Sequence, residues 1–315
     1  MYIVKKIIKI TFITTILLGI TACSGSVYIH NPENIQVVGM DSDSEPIVEI
    51  LGETLDIGTE VEEAEKVDLI LFAGQSNMAG YGGNEDEAPI VDEKAGMEFR
   101  AISDPTRLYP IKEPFGKSEN NENGLSDTDN GAYRHGTLVS SFINKYSEKT
   151  GHKVVALSAS VGGMAMDLWL IPAFWNDCID RLRCTQEWLI NNGYSIEHIY
   201  LVWYQGESDI ARQVSVENYS LNFNTFMDSF IAEGVEQIFL IVPNRSGTPG
   251  DSICDFQKDI CEKNDKYTLG SDLPSQYNIK EYSKDNIHYV QEALNAFGED
   301  AGQTAADYCN AQTVD

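Results

Sequence analysis

Four short blocks of this sequence carry side chains suited to ester hydrolysis. The first is Gly74-Gln75-Ser76-Asn77-Met78, which directly follows a run of apolar, β-branched residues. Gly74 permits a sharp turn there, and Ser76 then falls at the start of a helix. A serine so placed can expose its hydroxyl as a nucleophile while its own N–H faces a developing oxyanion. Serine at a strand-to-helix junction is equally an ordinary N-cap, and the segment by itself supports both readings. It is not the G-x-S-x-G nucleophile elbow, because Met78 occupies the final glycine position. The second block is Ser158-Ala159-Ser160-Val161-Gly162-Gly163. Its glycine pair lets bare backbone N–H groups approach a ligand as oxyanion donors, or simply makes a turn. The third is Gln205-Gly206-Glu207-Ser208-Asp209. Gln205 could give a side-chain N–H to the same oxyanion. Glu207 and Asp209 could form a catalytic carboxylate pair, but helix capping and loop geometry are the roles we assign them.

A serine nucleophile needs a base, and the chain has five histidines. His30 lies in a polar N-terminal stretch, and His152 and His198 precede strand-like runs, at the edge opposite the serine. Of the two left, His288 sits in Asp285-Asn286-Ile287-His288. An acid three residues earlier can reach the imidazole, set its tautomer and stabilise the imidazolium formed during attack. His135 has no comparably placed acid.

These blocks need a scaffold. Four short apolar runs, Val67–Phe72, Val154–Leu157, Ile199–Tyr204 and Gln237–Val242, read as buried parallel strands. Helical patterns lie between them at Thr137–Tyr146, Phe174–Ile190 and Val216–Ala232, the last ended by Gly234. Such alternation implies a parallel sheet covered by helices, with ligands at the carboxyl ends of the strands. Gly80–Gly131, polar and rich in Gly, Asn, Asp and Pro, reads as a surface insertion near the site. No internal repeat is evident.

With 315 residues, 42% of them apolar, the chain can bury a core without metal or disulfide staples. Its 22 Lys+Arg stand against 49 Asp+Glu, a net charge of −27. That field makes nucleic acid or an anionic membrane surface an unsuitable partner. Residues 1–22 read as an export signal: a basic start, an apolar run from Ile10 to Ile20, then Ile20-Thr21-Ala22-Cys23. The last four resemble a bacterial lipobox, with Cys23 as the lipidated residue and sole membrane contact of an exported, surface or periplasm-facing lipoprotein. Loss of Lys5, Lys6 and Lys9 with the signal would bring the net charge to about −30. Residues 23–66 read as an acidic spacer whose Ile35–Val38 and Ile47–Leu51 patches could dock as an edge strand, and residues 67–315 as the catalytic domain. Five further cysteines remain: Cys178, Cys184, Cys254, Cys261 and Cys309. Cys254 and Cys261, flanking an expected loop, are the pair best placed to bridge. No CxxC pair exists and the histidines are scattered in sequence, so no metal site is expected.

Taken in order, Gly74–Met78, Gly162-Gly163, Gln205-Gly206-Glu207 and Asp285-x-x-His288 resemble the SGNH hydrolase superfamily, specifically its carbohydrate esterase family six branch. That branch shares a domain type with sialate O-acetylesterases. The resemblance covers Val67 to about Gly302; the Ala301–Asp315 tail matches nothing. It implies an α/β fold, a flavodoxin-like three-layer α/β/α sandwich around a central parallel sheet, that removes O-acetyl groups from carbohydrate without a cofactor. By it, Ser76 is the nucleophile, His288 the base and then acid, and Asp285 its orienting partner. The oxyanion hole comprises the Ser76 N–H, one glycine of the pair (Gly163 preferred) and the Gln205 side chain, where the wider superfamily usually has asparagine. Gln75, Gly162 and Glu207 are expected in support. Trp169, Trp175, Trp203 and Tyr204 are expected to crowd the active-site edge, where one or two could face sugar. Arg134 and Arg245 look best placed to attract an anionic substrate there. The overall charge favours a neutral acetylated polysaccharide such as xylan over sialic acid. A lipase or thioesterase for longer acyl chains fits poorly with the polar insertion, and an inactive glycan-binding lipoprotein fits poorly with all three triad residue types being present.

Overall fold

Residues 35–40, 46–50, 64–244 and 251–312 are described by the computed structural model of the chain. The expectations for residues 1–22, Cys23, His30 and Arg245 lie outside the described residues. The chain divides into two compact units, residues 1–62 and 63–315. In the first, Ile35–Met40 (β1) pairs antiparallel with Pro46–Ile50 (β2), Ile35 opposite Ile50. The two apolar patches of the expected spacer therefore pair with each other, in a two-stranded sheet distinct from the main one.

In the second unit, β3 (Glu65–Gly74) leads into a single-turn helix α1 (Ser76–Ala79), then β4 (Gly96–Arg100) and β5 (Asp104–Pro110). Next come α2 (Val139–Thr150), β6 (Lys153–Ser160), α3 (Met166–Trp169), α4 (Pro172–Asn191) and β7 (Tyr194–Tyr204). The rest is α5 (Glu207–Ala211), α6 (Val216–Ala232), β8 (Gln237–Ile241), α7 (Asp251–Lys263), β9 (Tyr267–Ser271) and α8 (Gln291–Gln312). All four expected strands and all three expected helices are present, α6 with the expected bounds.

The seven strands lie in the order β5-β4-β6-β3-β7-β8-β9, parallel except for the β5 edge. Counting from β3, the five strands β6-β3-β7-β8-β9 follow the flavodoxin-like 2-1-3-4-5 order. β3 is covered on both faces, which is why its sequence reads as one apolar run. Val67, Leu69, Leu71 and Ala73 join the core that includes α4 and α6, while Ile70 and Phe72 join the one that includes α2 and α8. Side chains on a strand alternate between faces, so Asp68 points with Ile70 and Phe72 toward α2 and α8. The chain turns one way from β3 and the opposite way after β7, which opens a crevice at the carboxyl ends of those strands.

Three expectations need correction. Gly80–Gly131 is more than a surface insertion, since it supplies β4 and β5 and widens the sheet. β4 was illegible as a strand because its buried face includes Glu98, held by Arg100 at 2.9 Å. The Ala301–Asp315 stretch is largely the last turns of α8, whose Ala301, Ala305, Ala306 and Cys309 are fully buried. Cys254 and Cys261 do not flank a loop but lie seven residues apart on α7, and no disulfide joins them. Two turns of helix separate them by about 10 Å along the axis, well beyond disulfide reach. Among the described residues no helix is long and apolar enough to cross a membrane.

Gly74 makes the exit from β3 possible. Its φ is +137°, and a Cβ there would lie 2.1 Å from the Tyr204 carbonyl oxygen, which accepts from Gln75 N at 3.0 Å. Gly74→Ala is therefore expected to separate β3 from β7 at the site. Circular dichroism melting should show a loss of roughly 2 kcal/mol or more; an unchanged melting curve would mean that the turn tolerates a side chain.

Candidate active site

Ser76 opens α1 at the carboxyl end of β3 and is 4% exposed. Its hydroxyl makes no hydrogen bond to another described residue. The next residue does the joining. Asn77 Nδ2 donates to Glu207 Oε1 at 2.7 Å and to the Ile287 carbonyl at 3.2 Å, while its Oδ1 accepts from Tyr289 N at 3.1 Å. One buried amide thus grips the backbone on both sides of His288 and fastens it beside Ser76 and the start of α5.

Asp285 and His288 meet directly. The Asp285 Oδ2 lies 2.6 Å from His288 Nδ1, and its Oδ1 accepts from the backbone N–H of Ile287 and His288 at 3.0 and 2.8 Å. Asn286 adopts φ +63° to close this turn. Partial burial works to raise the Asp285 pKa, but the His288 backbone and ring hydrogen bonds, the ring's charge and the Ile287 N–H together hold it below the ordinary carboxylate value. The carboxylate therefore stays ionised behind an imidazole whose Nε2 is left for a second partner. No hydrogen bond joins Ser76 to that ring in this state; in substrate-free enzymes such contacts are commonly long and tighten on binding.

The Gly162-Gly163 turn after β6 is pinned from three sides. Gly162 N donates to Asp127 Oδ1 at 3.0 Å, the Met164 carbonyl accepts from Gln205 Nε2 at 3.0 Å, and Met166 N donates to Asp209 at 3.0 and 3.1 Å. Of the two glycine N–H groups, that of Gly162 is spent, leaving that of Gly163. Gly163 has φ +75° and is exposed, with nothing within 4 Å of the position a Cβ would take. This favours the glycine preferred from sequence.

Gln205 is differently employed from what was expected. It is fully buried, its Nε2 donating to Met164 O and also to Asp209 Oδ2 at 2.5 Å, while its Oε1 accepts from the Tyr219 hydroxyl at 3.1 Å. Both amide protons are committed, so here it holds the loop after the glycine turn instead of presenting a donor to substrate. Neither Glu207 nor Asp209 caps α5, the expected capping role; both instead hold neighbouring segments, Glu207 on Asn77 and Asp209 on the loop before α3. Burial pushes the Asp209 carboxyl pKa up, against the pull of the Met166 and Gln205 hydrogen bonds. Gln75 accepts from Ser208 N at 3.3 Å, which ties the serine turn to α5.

Two further expectations fail. Trp169, Trp203 and Tyr204 are fully buried and belong to the core, and Trp175 packs edge-on against Phe226. The aromatic rings near His288 are instead Tyr81, centred 5.5 Å from it, and Tyr133, 5.8 Å from Tyr81 and 48% exposed. Arg134 is 4% exposed. Its Nε donates to Asp127 at 2.7 Å, Nη1 to Phe115 O and Ser160 Oγ at 3.2 Å, and Nη2 to Ser160 O. Four of its five N–H donors thus brace the segments around the glycine turn, and its charge is paired with Asp127. Sequence reading missed Asp127, which sits in an irregular loop without periodicity. It also passed over Asn77 and Tyr81, although both lie in or beside the serine block.

The model of the family described as carbohydrate esterase, sialic acid-specific acetylesterase matches residues 66–307. No curated protein matches the chain. Among solved structures, a protein of Arabidopsis thaliana is 18% identical with a TM-score of 0.54, over 79% of this chain and 98% of that one. NanS is 13% identical with a TM-score of 0.55, over 79% and 99%. At these identities the two structures support the fold.

Gln205→Ala distinguishes loop-holding from direct donation. Removing the amide leaves the Met164 carbonyl and the buried Asp209 without their donor, at a cost of about 1–3 kcal/mol. The expected result is a lowered melting temperature together with a lowered kcat. A lowered kcat at an unchanged melting temperature would return Gln205 to the oxyanion.

Proposed function

This chain belongs to the family of carbohydrate esterases described as sialic acid-specific acetylesterases, and on that premise we propose that it is a serine O-acetylesterase acting on neutral acetylated polysaccharide or oligosaccharide, acetylxylan foremost. It is a carboxylic ester hydrolase acting on acetylated carbohydrate; the triad and the preferred glycan are our own reading. The observation that carries the triad is the Asn77 amide, which holds the Asp285–His288 pair beside Ser76.

Ser76 Oγ attacks the acetyl carbonyl carbon as its proton passes to His288 Nε2. Asp285 keeps Nδ1–H oriented and stabilises the imidazolium. The N–H groups of Ser76 and Gly163 receive the oxyanion of the tetrahedral intermediate. Collapse breaks the bond to the sugar oxygen, which takes the proton from His288 and leaves as the free hydroxyl. Water, deprotonated by His288, then attacks the acetyl-Ser76 ester and releases acetate.

The substrate preference rests on charge. The chain carries a net −27, and Arg134, one of the two arginines that could have offset this at the site, is buried with its charge paired to Asp127. A neutral acetylated sugar enters that field without repulsion, whereas a sialic acid carboxylate does not. Tyr133 offers an exposed ring beside the site for the apolar face of a sugar.

Ser76→Ala and His288→Ala should each leave a folded protein with kcat lowered roughly 10⁴-fold or more, while His135→Ala retains activity. Greater damage from His135→Ala would overturn the base assignment. Because the Asp285 carboxyl is held below its ordinary pKa, it should stay ionised, and its protonation should cost activity only below the ordinary carboxylate range. A carboxylate step in the pH profile at or above that range, abolished in Asp285→Asn, would contradict this.

On acetylated xylo-oligosaccharide, kcat/KM should exceed that on O-acetyl sialic acid, most clearly at low salt. Preference for the sialic acid, lost in Arg245→Ala, would overturn the choice of glycan. Short-chain nitrophenyl esters should also be cleaved in preference to long ones.

We also propose that the chain is exported and anchored through lipid on Cys23, as its N-terminal sequence suggests. Cys23→Ser should retain or mis-process its signal, and detergent partitioning should place the wild type in the detergent phase. A wild type found wholly in the aqueous phase would exclude the anchor.

A further inference from the structure

The end of the sheet opposite the active site carries a second cluster of reactive side chains. His152 stands just before β6, His198 lies within β7, and Cys309 reaches them from the last turns of α8. One ligand atom from each lies within 4.8 Å of the others, and Cys309 Sγ is 3.9 Å from His152 Nδ1. The two imidazoles are 6.0 Å apart and nearly parallel. Residues scattered over 157 positions of chain meet because β3, β6 and β7 are neighbours in the sheet and α8 crosses their amino ends.

Each histidine is backed by a carboxylate. Asp68 Oδ2 lies 2.8 Å from His152 Nδ1, and Glu236 Oε2 lies 3.0 Å from His198 Nδ1. A carboxylate behind each ring is the arrangement that orients histidines toward a metal and raises their basicity. Asp68 is fully buried, and its Oδ2 also accepts from the Tyr146 hydroxyl at 2.5 Å. Its Oδ1 has no hydrogen-bond partner, and neither has the buried Tyr200 hydroxyl, whose ring stacks on His198 at 5.3 Å. A buried carboxylate and a cysteine with no lysine or arginine among the described residues hydrogen-bonded to either form a place that a cation stabilises.

We propose that His152, His198 and Cys309 bind a thiophilic divalent metal ion, zinc foremost, with Asp68 and Glu236 as the carboxylates behind the rings. Thiolate with imidazole selects zinc and its borderline-soft neighbours over magnesium or calcium. At ordinary zinc bond lengths the sulfur–nitrogen edge of a tetrahedron is about 3.6 Å, so ligand atoms that lie within 4.8 Å of one another must draw together when the ion binds. The ion would staple α8 to β6 and β7. It would not enter the ester chemistry, since the six residues from Asp68 to Gly74 place it about 20 Å from Ser76.

The test uses the reduced, metal-stripped protein with zinc, cobalt(II) or magnesium added. Cobalt should give a near-ultraviolet sulfur-to-metal charge-transfer band, absent in Cys309→Ser. Zinc at about a hundredfold over its Kd should raise the melting temperature by roughly 5–10 °C, and magnesium should not. His198→Ala, at a partly exposed position, should lose the zinc shift while still folding, which guards against Cys309→Ser disturbing α8. Esterase kcat/KM should be the same with and without zinc. A wild type showing neither band nor shift would overturn the proposal, as would a zinc shift that survives in both variants. Activity that disappears on chelation and returns with zinc would also overturn it, by placing the metal at the catalytic end.

Discussion

The Asn77 amide joins two separate stretches of chain, meeting the Glu207 carboxylate on one and the Ile287 carbonyl and Tyr289 N–H on the other. The placing of His288 beside Ser76 depends on this. Ser76 reaches its place through β3, whereas His288 arrives more than 200 residues later on an irregular loop with no strand or long helix to locate it. A short loop held only by its own turn would wander by more than the half-ångström or so that catalysis tolerates. Two hydrogen bonds from one buried side chain, itself tied to Glu207 by a third, remove that freedom, and each would leave a costly unsatisfied group if broken. The clamp also explains why Asp285 can be partly exposed and still act on the ring. The loop's position is set by Asn77, so the carboxylate need only set the ring's tautomer.

Acidity has an internal use in this chain. Among the described residues seven carboxylates are buried: Asp68, Glu98, Glu119, Asp127, Asp177, Glu207 and Asp209. Five of them accept backbone N–H groups from irregular segments, as Asp127 does from Gly162 and Asp177 from Leu125. Loops without ladder partners must satisfy their N–H groups somehow, and a carboxylate with two oxygens serves several at once. Arg134 and Arg181 supply the compensating charge, Arg181 bonding Asp177 at 2.9 Å and the Ser158 and Glu119 carbonyls at 2.8 and 2.7 Å. Breaking such a pair leaves a bare buried charge, at about 3–5 kcal/mol. The polar segment before α2, which has few apolar residues, is thus fastened to the sheet by ion pairs and directs the glycine turn.

The two ends of the sheet do different work for one geometric reason. At the carboxyl ends the strands release their chains into turns, so Ser76, Gly163 and the Gln205 block converge on the crevice where the connections reverse direction. At the amino ends the same three strands begin side by side. There Asp68, His152 and His198 fall next to one another, and α8 closes over them with Cys309.

The sequence alone determined the parallel sheet, the serine turn and the Asp285–His288 pair, because each is a local matter. Strand periodicity, the turn chemistry of Gly74 and an acid three residues before a histidine are all written within a few positions of one another. It could not disclose the work of Gln205, because whether an amide faces substrate or a neighbouring loop depends on where Met164 and Asp209 lie in space. Nor could it show that Trp169 and Trp203 belong to the core while Tyr81 and Tyr133 line the site, since an aromatic at the end of a strand can turn to either side. Cys254 and Cys261 looked like a bridge until the helix between them set their separation. His152, His198 and Cys309 looked scattered until the strand order made them neighbours. Each was decided by contacts between segments far apart in the chain, which exist only once the sheet has set its order and the helices have packed against it.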